Sequence, residues 1–251
     1  MKMKNLYFLS SLIFIIVFLN GCTKQKIDAN QIVNNAIQTH GGKLFKSSKI
    51  SFDFRDKHYS AKRLNSLYEF TREFTDNKGN KIKDILNNNS FVRLINDKAT
   101  DLTVERKNAF SNSVNSVIYF ALLPYGLNDK AVHKVLLGEV KVEGKNYYKI
   151  KVTFSLDGGG KDFNDVFIYW INKENYSMDY LAYLYHVNGG GTRFRKAVNK
   201  RNVNGIIFSD YLNFGNEDLD YNIENYDKDF ENGNLKLISE INLKNISVEK
   251  L

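Results

Sequence analysis

The chain has 251 residues, a formal net charge of +8 at pH 7 and a single cysteine. One cysteine excludes an internal disulfide, so the stability of the protein must come from a packed core. It also excludes a zinc site built from several thiolates. The length is compatible with one large all-β domain.

The N-terminus has the parts of an export signal. Lys2 and Lys4 precede an apolar run over residues 6–19, and Gly21 and Cys22 follow that run. The run is shorter than the roughly 20 residues that a membrane-spanning helix needs, and its length is typical of a signal-peptide core. The segment resembles the lipobox of bacterial lipoproteins, in which cleavage before the cysteine leaves a thiol that carries a diacylglycerol. A free thiol behind an uncleaved anchor is the alternative.

The lipobox sets the predicted domain boundaries and location. Residues 1–21 are the expected signal peptide, residues 22–27 a tether, and residues 28–251 a single domain. Lipid on Cys22 is the expected attachment to the membrane. Thr23 follows the cysteine, and by resemblance to the enterobacterial sorting rule the absence of Asp there permits transfer to the outer membrane. We expect a lipid-anchored protein of the cell envelope, at the outer membrane and facing the periplasm.

Two helices are predicted from apolar spacing. Asp28 can cap the first, because its carboxylate can accept a hydrogen bond from a free backbone N–H. Gly41-Gly42 ends that helix. Its apolar stripe consists of Ile32, Val33, Ala36 and Ile37. The second helix runs from Phe110 to Leu123 and stops at Pro124. It becomes apolar on several sides near its end, so it needs extensive cover.

The other segments are predicted to be strands. Ile50, Phe52 and Phe54 alternate with polar residues, which indicates a half-buried strand. Residues 166–171 and 178–187 are apolar on both faces and therefore belong at the centre of a sheet covered on both sides. About 11–13 strands are expected, and twisted sheets rarely exceed about 10 strands without curling or splitting. We predict a mainly β (α+β) fold, with a strongly curved antiparallel sheet or open half-barrel and both helices packed on its concave face.

Two resemblances support this layout. The arrangement over about residues 28–251 resembles the LolA/LolB lipoprotein-localisation half-barrel, without sharing motifs with it. Three sequence blocks resemble an uncharacterised family of Bacteroidota lipoproteins, DUF6503. They are His40-Gly41-Gly42, Leu122-Leu123-Pro124-Tyr125, and Leu181-Ala182-Tyr183-Leu184-Tyr185-His186 followed by Gly189-Gly190-Gly191-Thr192-Arg193-Phe194-Arg195. The resemblance implies a lipoprotein and brings no established chemistry.

Apolar and aromatic residues are the main candidates for a ligand site. They lie on the inserted helix and on the two central strands, where they could line a cavity for an acyl chain. These candidates are Phe110, Val114, Phe167, Tyr169, Tyr183 and Tyr185. The alternative is a dry core packed beneath the helix, which is the commoner use of such residues.

Arg193 and Arg195 are the best polar candidates. They lie two residues apart and so share one face of a strand. Two guanidinium groups in this arrangement could bind a phosphate or a carboxylate through paired hydrogen bonds. The alternative is a solvated strand face on which both arginines pair with acidic neighbours.

The remaining polar residues predict no catalytic, metal or cofactor site. The four histidines form no metal-binding motif, and His186 is expected in the core beside Leu184. The acidic residues from Glu217 to Glu231 are expected to form a solvated loop, with calcium binding as the weaker alternative.

The leading functional hypothesis is a non-enzymatic envelope lipoprotein. It would bind a lipid, a lipoprotein acyl chain or another amphiphile between the inserted helix and the sheet. The alternative is a structural or interaction lipoprotein that docks onto an envelope protein complex without a small ligand. Nucleic acid is not an expected partner outside the cytoplasm. An enzyme ranks third, because no nucleophile and base can be paired from the sequence.

Overall fold

The computed structural model describes residues 27–155, 164–186, 189–215 and 221–251. The predicted signal peptide and Cys22 lie outside these residues. The α-helices are α1 (Ala29–His40), α2 (Val104–Ala121) and α3 (Tyr226–Glu231). The strands are β1 (Ser47–Phe54), β2 (Lys57–Leu64), β3 (Leu67–Thr75), β4 (Lys81–Asn87), β5 (Phe91–Ile95), β6 (Lys98–Ala99), β7 (Val132–Val142), β8 (Lys145–Phe154), β9 (Val166–Asn172), β10 (Met178–Tyr185), β11 (Gly191–Val203), β12 (Ile206–Gly215), β13 (Lys236–Ile241) and β14 (Leu243–Lys250).

The strands form two seven-stranded antiparallel sheets. Sheet A has the order β14-β1-β2-β3-β4-β5-β6, and sheet B has the order β13-β12-β11-β10-β9-β8-β7. Only Asn242 separates β13 from β14, so the chain passes directly from the edge of sheet B to the edge of sheet A. Neither sheet closes into a barrel. We call the face of both sheets that packs against α1 and α2 the inner face.

The mainly β class, with open sheets and with α1 and α2 on the same face, is confirmed. Two details differ from the prediction: the described residues form fourteen strands instead of about 11–13, and these strands divide between two sheets. Strand β13 ends at Ile241 in sheet B, and β14 begins at Leu243 in sheet A. A twisted sheet this wide either curls or splits, and here it splits.

Helix α1 forms where its capping residue predicts. The Asp28 carboxylate accepts a hydrogen bond from the backbone N–H of Gln31 at 2.8 Å. The predicted stripe is buried against the inner face of sheet B. Gly41 ends the helix with a φ of +145°, a conformation that favours glycine.

Helix α2 crosses from sheet A to sheet B. Val114 and Ile118 are fully buried against sheet A, in one core with Phe52 and Phe70. Arg72 of sheet A ties the same helix down, because its guanidinium donates a 2.7 Å hydrogen bond to the Ser113 hydroxyl. The C-terminal part of α2 lies against the aromatic residues of sheet B. In the described ranges, no helix combines the length and the apolar character needed to span a bilayer.

Strands β9 and β10 lie at or beside the centre of sheet B and are buried on both faces, as predicted. On the inner face, Tyr169 and Leu181 pack beneath α1. On the outer face, Trp170 and Phe194 pack against Tyr226 of α3. The prediction of a solvated acidic loop is therefore wrong for the described part of that segment. Its helix covers the outer face of sheet B, while residues 216–220 lie outside the described residues.

Candidate binding cavity

A partly open cavity of about 480 Å³ lies between α2 and sheet B. The strands line it with every second residue, because alternate side chains point to the same face of a sheet. Strands β10 to β13 contribute Tyr183, Tyr185, Arg193, Arg195, Ser209, Tyr211, Asn213, Ser239 and Ile241. The opposite wall is the C-terminal part of α2, including Asn112, Asn115, Ser116, Val117, Tyr119, Phe120 and Ala121. Phe54, Arg55 and Leu243 close a third side.

One part of the cavity wall is aromatic. The ring of Phe120 on α2 lies 5.2 Å from that of Tyr183 and 6.1 Å from that of Phe167. The rings of Phe167 and Tyr183 are stacked at 5.5 Å, and Phe154 contacts Phe167 edge-on at 5.7 Å. This wall offers apolar surface to a ligand while holding each ring in place through its neighbours.

The other part of the wall is a polar row that crosses three strands. Arg195 of β11 pairs with Asn213 of β12, and Asn213 pairs with Ser239 of β13. Residues paired in this way have side chains about 5 Å apart on the same face. The Asn213 amide donates a 3.1 Å hydrogen bond to the Ser239 hydroxyl. The cavity therefore has an apolar side and a polar side.

Two polar atoms in this row have no hydrogen-bond partner among the described residues. They are the buried Nε of Arg195 and the buried Oδ1 of Asn213. The Nη2 of Arg195 donates to the Tyr183 hydroxyl at 2.7 Å, which fixes the guanidinium beside the aromatic wall. An unpaired buried donor beside an unpaired buried acceptor can satisfy a polar ligand group or water.

The charge of the cavity lining is positive. Within the lining that the structure describes, Arg55, Arg193 and Arg195 face one carboxylate, that of Asp165. In the described part of the chain, none of these arginines forms an ion pair. Their guanidinium groups lie over aromatic rings instead: Arg193 over Tyr185 at 5.5 Å and Arg195 over Phe120 at 4.3 Å. Among the described residues, the arginines therefore contact aromatic rings and do not pair with acidic neighbours, which was the alternative prediction.

The hydroxyls of Tyr119, Tyr169 and Tyr211 remain neutral in the physiological range. Burial raises the pKa of Tyr119 and of Tyr211 to about 12. Burial also raises the pKa of Tyr169 well above its usual value, and the Tyr169 hydroxyl lies 3.2 Å from that of Tyr119. These groups act as neutral hydrogen-bonding partners and supply no base or nucleophile.

The family of this protein is identified by a match that extends over most of the chain. A family model matches residues 9–243. The chain belongs to the family of unknown function DUF6503. The three sequence blocks predicted this membership. The third block spans β10 and β11, which pair with each other and bring Tyr183 and Arg193 side by side in the cavity wall. A comparison with curated proteins finds no match.

Solved structures similar to this DUF6503 protein share only its layout. One is a LolA superfamily protein from Nitrosomonas europaea, with 11% identity, a TM-score of 0.49, and coverage of 90% of this chain and 95% of that one. Another is a DUF1329 family protein from Desulfovibrio piger, with 11% identity, a TM-score of 0.39, and coverage of 88% and 93%. Similarities this low carry no information about a ligand.

The structure brings five of the eight predicted ligand residues of this DUF6503 protein to the cavity. They are Phe167, Tyr183, Tyr185, Arg193 and Arg195. Their part in binding stays a prediction, as does lipid attachment at Cys22.

Three predicted ligand residues lie away from the cavity. Val114 is fully buried in the core between α2 and sheet A. Phe110 lies one turn earlier on α2, with the Arg93 guanidinium 3.4 Å above its ring. Tyr169 is fully buried behind the wall and stacks on Phe167 at 6.0 Å. The helix is covered as expected, but the side that carries Phe110, Val114 and Ile118 faces sheet A.

Sequence reasoning found Arg193 and Arg195 but missed the other polar residues of the cavity. Ser209, Tyr211 and Asn213 alternate along β12, and this period-two pattern could have placed them on one face. Nothing in the sequence shows that this face is the inner one. The prediction that His186 lies in the core is wrong, since its side chain is exposed at the end of β10, with Nδ1 3.3 Å from Asp165.

Proposed function

We propose that this protein is a lipid-anchored envelope protein that holds an amphiphile in the cavity between α2 and sheet B. The observation that carries the proposal is the cavity itself. Its volume of about 480 Å³ falls in the range of roughly 300–1,000 Å³ that is usual for small-molecule sites. Its aromatic side suits a hydrocarbon chain, and its polar side suits a headgroup.

The cavity argues against a dry core at this place. Protein interiors are packed as densely as organic crystals, with few voids larger than a water molecule. Phe167 and Tyr183 have 6% and 9% of their surface exposed, yet they border open space large enough for a ligand. Each methylene group buried there would contribute about 0.8 kcal/mol to binding.

The proposed anchor keeps the cavity close to the membrane. Lipid on Cys22 would leave only residues 22–27 before the cap of α1 at Asp28. Six extended residues span at most about 20 Å. An amphiphile could therefore pass between the bilayer and the cavity over a short distance. We place the anchor in the outer membrane, on the periplasmic side.

A docking role is the second candidate, favoured by exposed apolar residues at one turn. Leu64 and Leu67, at the turn between β2 and β3, have 48% and 65% of their surface exposed. Large apolar side chains left in solvent this close together can mark a contact surface. Site-specific crosslinking from position 67 to one envelope protein, together with an empty cavity, would favour this role.

The amphiphile proposal is tested on protein purified from membranes. Native mass spectrometry should detect a bound lipid, and the delipidated protein should bind N-phenyl-1-naphthylamine, a neutral apolar fluorophore. Ser239→Trp places a large ring in the cavity and should abolish fluorophore binding. Leu237→Trp is the matched control, because Leu237 pairs with Phe214, whose ring packs on the outer face of sheet B, and Leu237 is 48% exposed. No bound lipid and no fluorophore binding in the natural protein would overturn the proposal.

A further inference from the structure

The polar row of the cavity leaves one buried donor and one buried acceptor for a ligand group. Arg195, Asn213 and Ser239 are direct neighbours across β11, β12 and β13. Asn213 is only 8% exposed, yet its Oδ1 has no partner among the described residues, and the same holds for the Nε of the adjacent Arg195. Natural proteins rarely leave buried polar atoms unpaired.

Hydrogen bonds within the protein fix the orientation of the Arg193 and Arg195 guanidinium groups. The Tyr183 hydroxyl accepts from Arg195, and the backbone carbonyl of Thr192 accepts a 2.6 Å hydrogen bond from Arg193. These contacts hold both guanidinium groups while leaving donors of each free for a ligand. A planar guanidinium fork matches the oxygen atoms of a carboxylate or phosphate better than a lysine does.

The charge balance favours an anion. Among the described lining residues, Arg55, Arg193 and Arg195 are set against the one carboxylate of Asp165, which lies 3.3 Å from the His186 imidazole. The aromatic wall of Phe120, Phe167 and Tyr183 lowers the local polarity and strengthens the attraction between a guanidinium and an anion.

From this geometry we infer that the ligand is an amphiphile with an acidic headgroup, a carboxylate or a phosphate, which Arg193 and Arg195 bind beside Asn213 while its hydrocarbon chain lies against Phe120 and Phe167. This inference rests on the proposed function and adds the charge of the headgroup to it. A neutral headgroup could accept hydrogen bonds from the arginines but would lack the charge that strengthens them, and a cationic headgroup would be repelled.

The test compares amphiphiles that share one chain length and differ in the head. Decanoate, decyl phosphate and 1-decanol are compared as displacers of N-phenyl-1-naphthylamine from the delipidated protein at pH 8, the anions below their micelle concentrations and decanol below its solubility limit. We expect at least one of the two anions to displace the fluorophore at concentrations about tenfold lower than decanol does. The more potent of the two anions identifies the headgroup.

Variants separate the headgroup contact from the cavity. Arg193→Gln combined with Arg195→Gln should weaken the preferred anion about tenfold and leave decanol unchanged, and unchanged decanol binding reports an intact cavity. Arg195→Lys keeps the charge but loses the planar fork, so it should recover only part of the anion affinity. Arg106→Gln is the control, since Arg106 lies over Phe110 and outside the cavity lining.

Different results would overturn the proposed amphiphile binding and the inferred acidic headgroup. Equal displacement by decanol and both anions in the natural protein would overturn the inference and leave amphiphile binding standing. An equal loss of decanol and anion affinity in the double variant would also overturn it, because the arginines would then act only on the shape of the cavity. No fluorophore binding and no displacement would overturn the proposed function together with the inference.

Discussion

The ammonium group of Lys149 lies 3.0 Å from the carboxylate of Asp227, and both side chains are almost completely buried on the outer face of sheet B. The same carboxylate accepts a 3.3 Å hydrogen bond from the indole N–H of Trp170. The Lys149 ammonium also donates to the backbone carbonyl of Glu224. The acidic composition of the segment that contains Asp227 predicts a solvated loop. In the structure a buried ion pair attaches this segment to the core.

Asp227→Asn should destabilise the protein strongly. The amide retains the shape of the carboxylate but leaves the Lys149 charge buried without a counterion, and such a loss costs about 3 kcal/mol. The free energy of unfolding from urea titration measures it. Glu224→Gln is the matched control from the same segment: its ion pair with Lys151 is about one-third exposed, so the loss should be at most about 1 kcal/mol. Equal effects of the two substitutions would contradict the assignment.

A second buried cluster fixes α2 over sheet A. Asp84 is completely buried and accepts hydrogen bonds from Arg72 at 2.6 Å and from Arg93 at 2.6 Å. Arg72 in turn donates to Ser113 of α2, and Arg93 covers the ring of Phe110. One carboxylate therefore organises two arginines that both contact the helix.

Asp84→Asn should lower the free energy of unfolding by about 3–5 kcal/mol, because it leaves two buried guanidinium groups with a neutral partner. Urea titration followed by circular dichroism measures the change. Glu73→Gln on the neighbouring strand removes an exposed ion pair with Lys83 and should have little effect. If the free energy of unfolding of Asp84→Asn lay within about 1 kcal/mol of that of the natural protein, the cluster would make no net contribution to stability.

Local patterns in the sequence predict much of this fold. Asp28 and Gly41 mark the ends of α1, and the apolar residues on both faces of β9 and β10 place those strands near the centre of sheet B. In each case the signal lies within about a dozen residues and reflects local hydrogen bonding or the alternation of side chains.

The features that could not be predicted depend on distant partners. Asp227 and Lys149 are 78 positions apart, so nothing near Asp227 shows that its carboxylate is buried. The change of sheet at Asn242 also leaves no local signal, because apolar residues continue through it while the neighbouring strand changes. The cavity needed both sheets and α2 in place, which explains why Asn213 was missed.

Cys22→Ala should release the protein from the membrane. Without the thiol no diacylglycerol can be attached, and no other anchor is proposed. In cell fractionation, the natural protein should appear in the detergent-soluble membrane fraction. The variant should appear in the soluble envelope fraction or remain as an unprocessed precursor. Thr23→Ala is the control and should stay membrane-bound. Mass spectrometry of the N-terminal peptide should show the added lipid in the natural protein, and membrane retention of processed Cys22→Ala would contradict the anchor.

His40 predicts a dependence of stability on pH. Its side chain is 2% exposed, and its Nδ1 lies 2.8 Å from the carbonyl oxygen of Ala36. Burial lowers the pKa of His40 below its usual value of 6.5, and the charge of Lys200 lowers the pKa further, while the Ala36 carbonyl and Asp179 act in the opposite direction.

The sign follows from the direction of that shift. The unfolded chain binds the His40 proton more readily than the folded protein does, so the stabilising contribution is complete above pH 6.5 and is lost as the pH falls from there through the lowered pKa. Urea titrations at pH 8, 7, 6 and 5 should show the natural protein losing stability relative to His40→Gln across this range. Because both proteins contain the same acidic residues, the difference between their stabilities cancels the contribution of those residues to the pH dependence. A constant difference between the two proteins from pH 8 to pH 5 would contradict a buried neutral imidazole at this helix end.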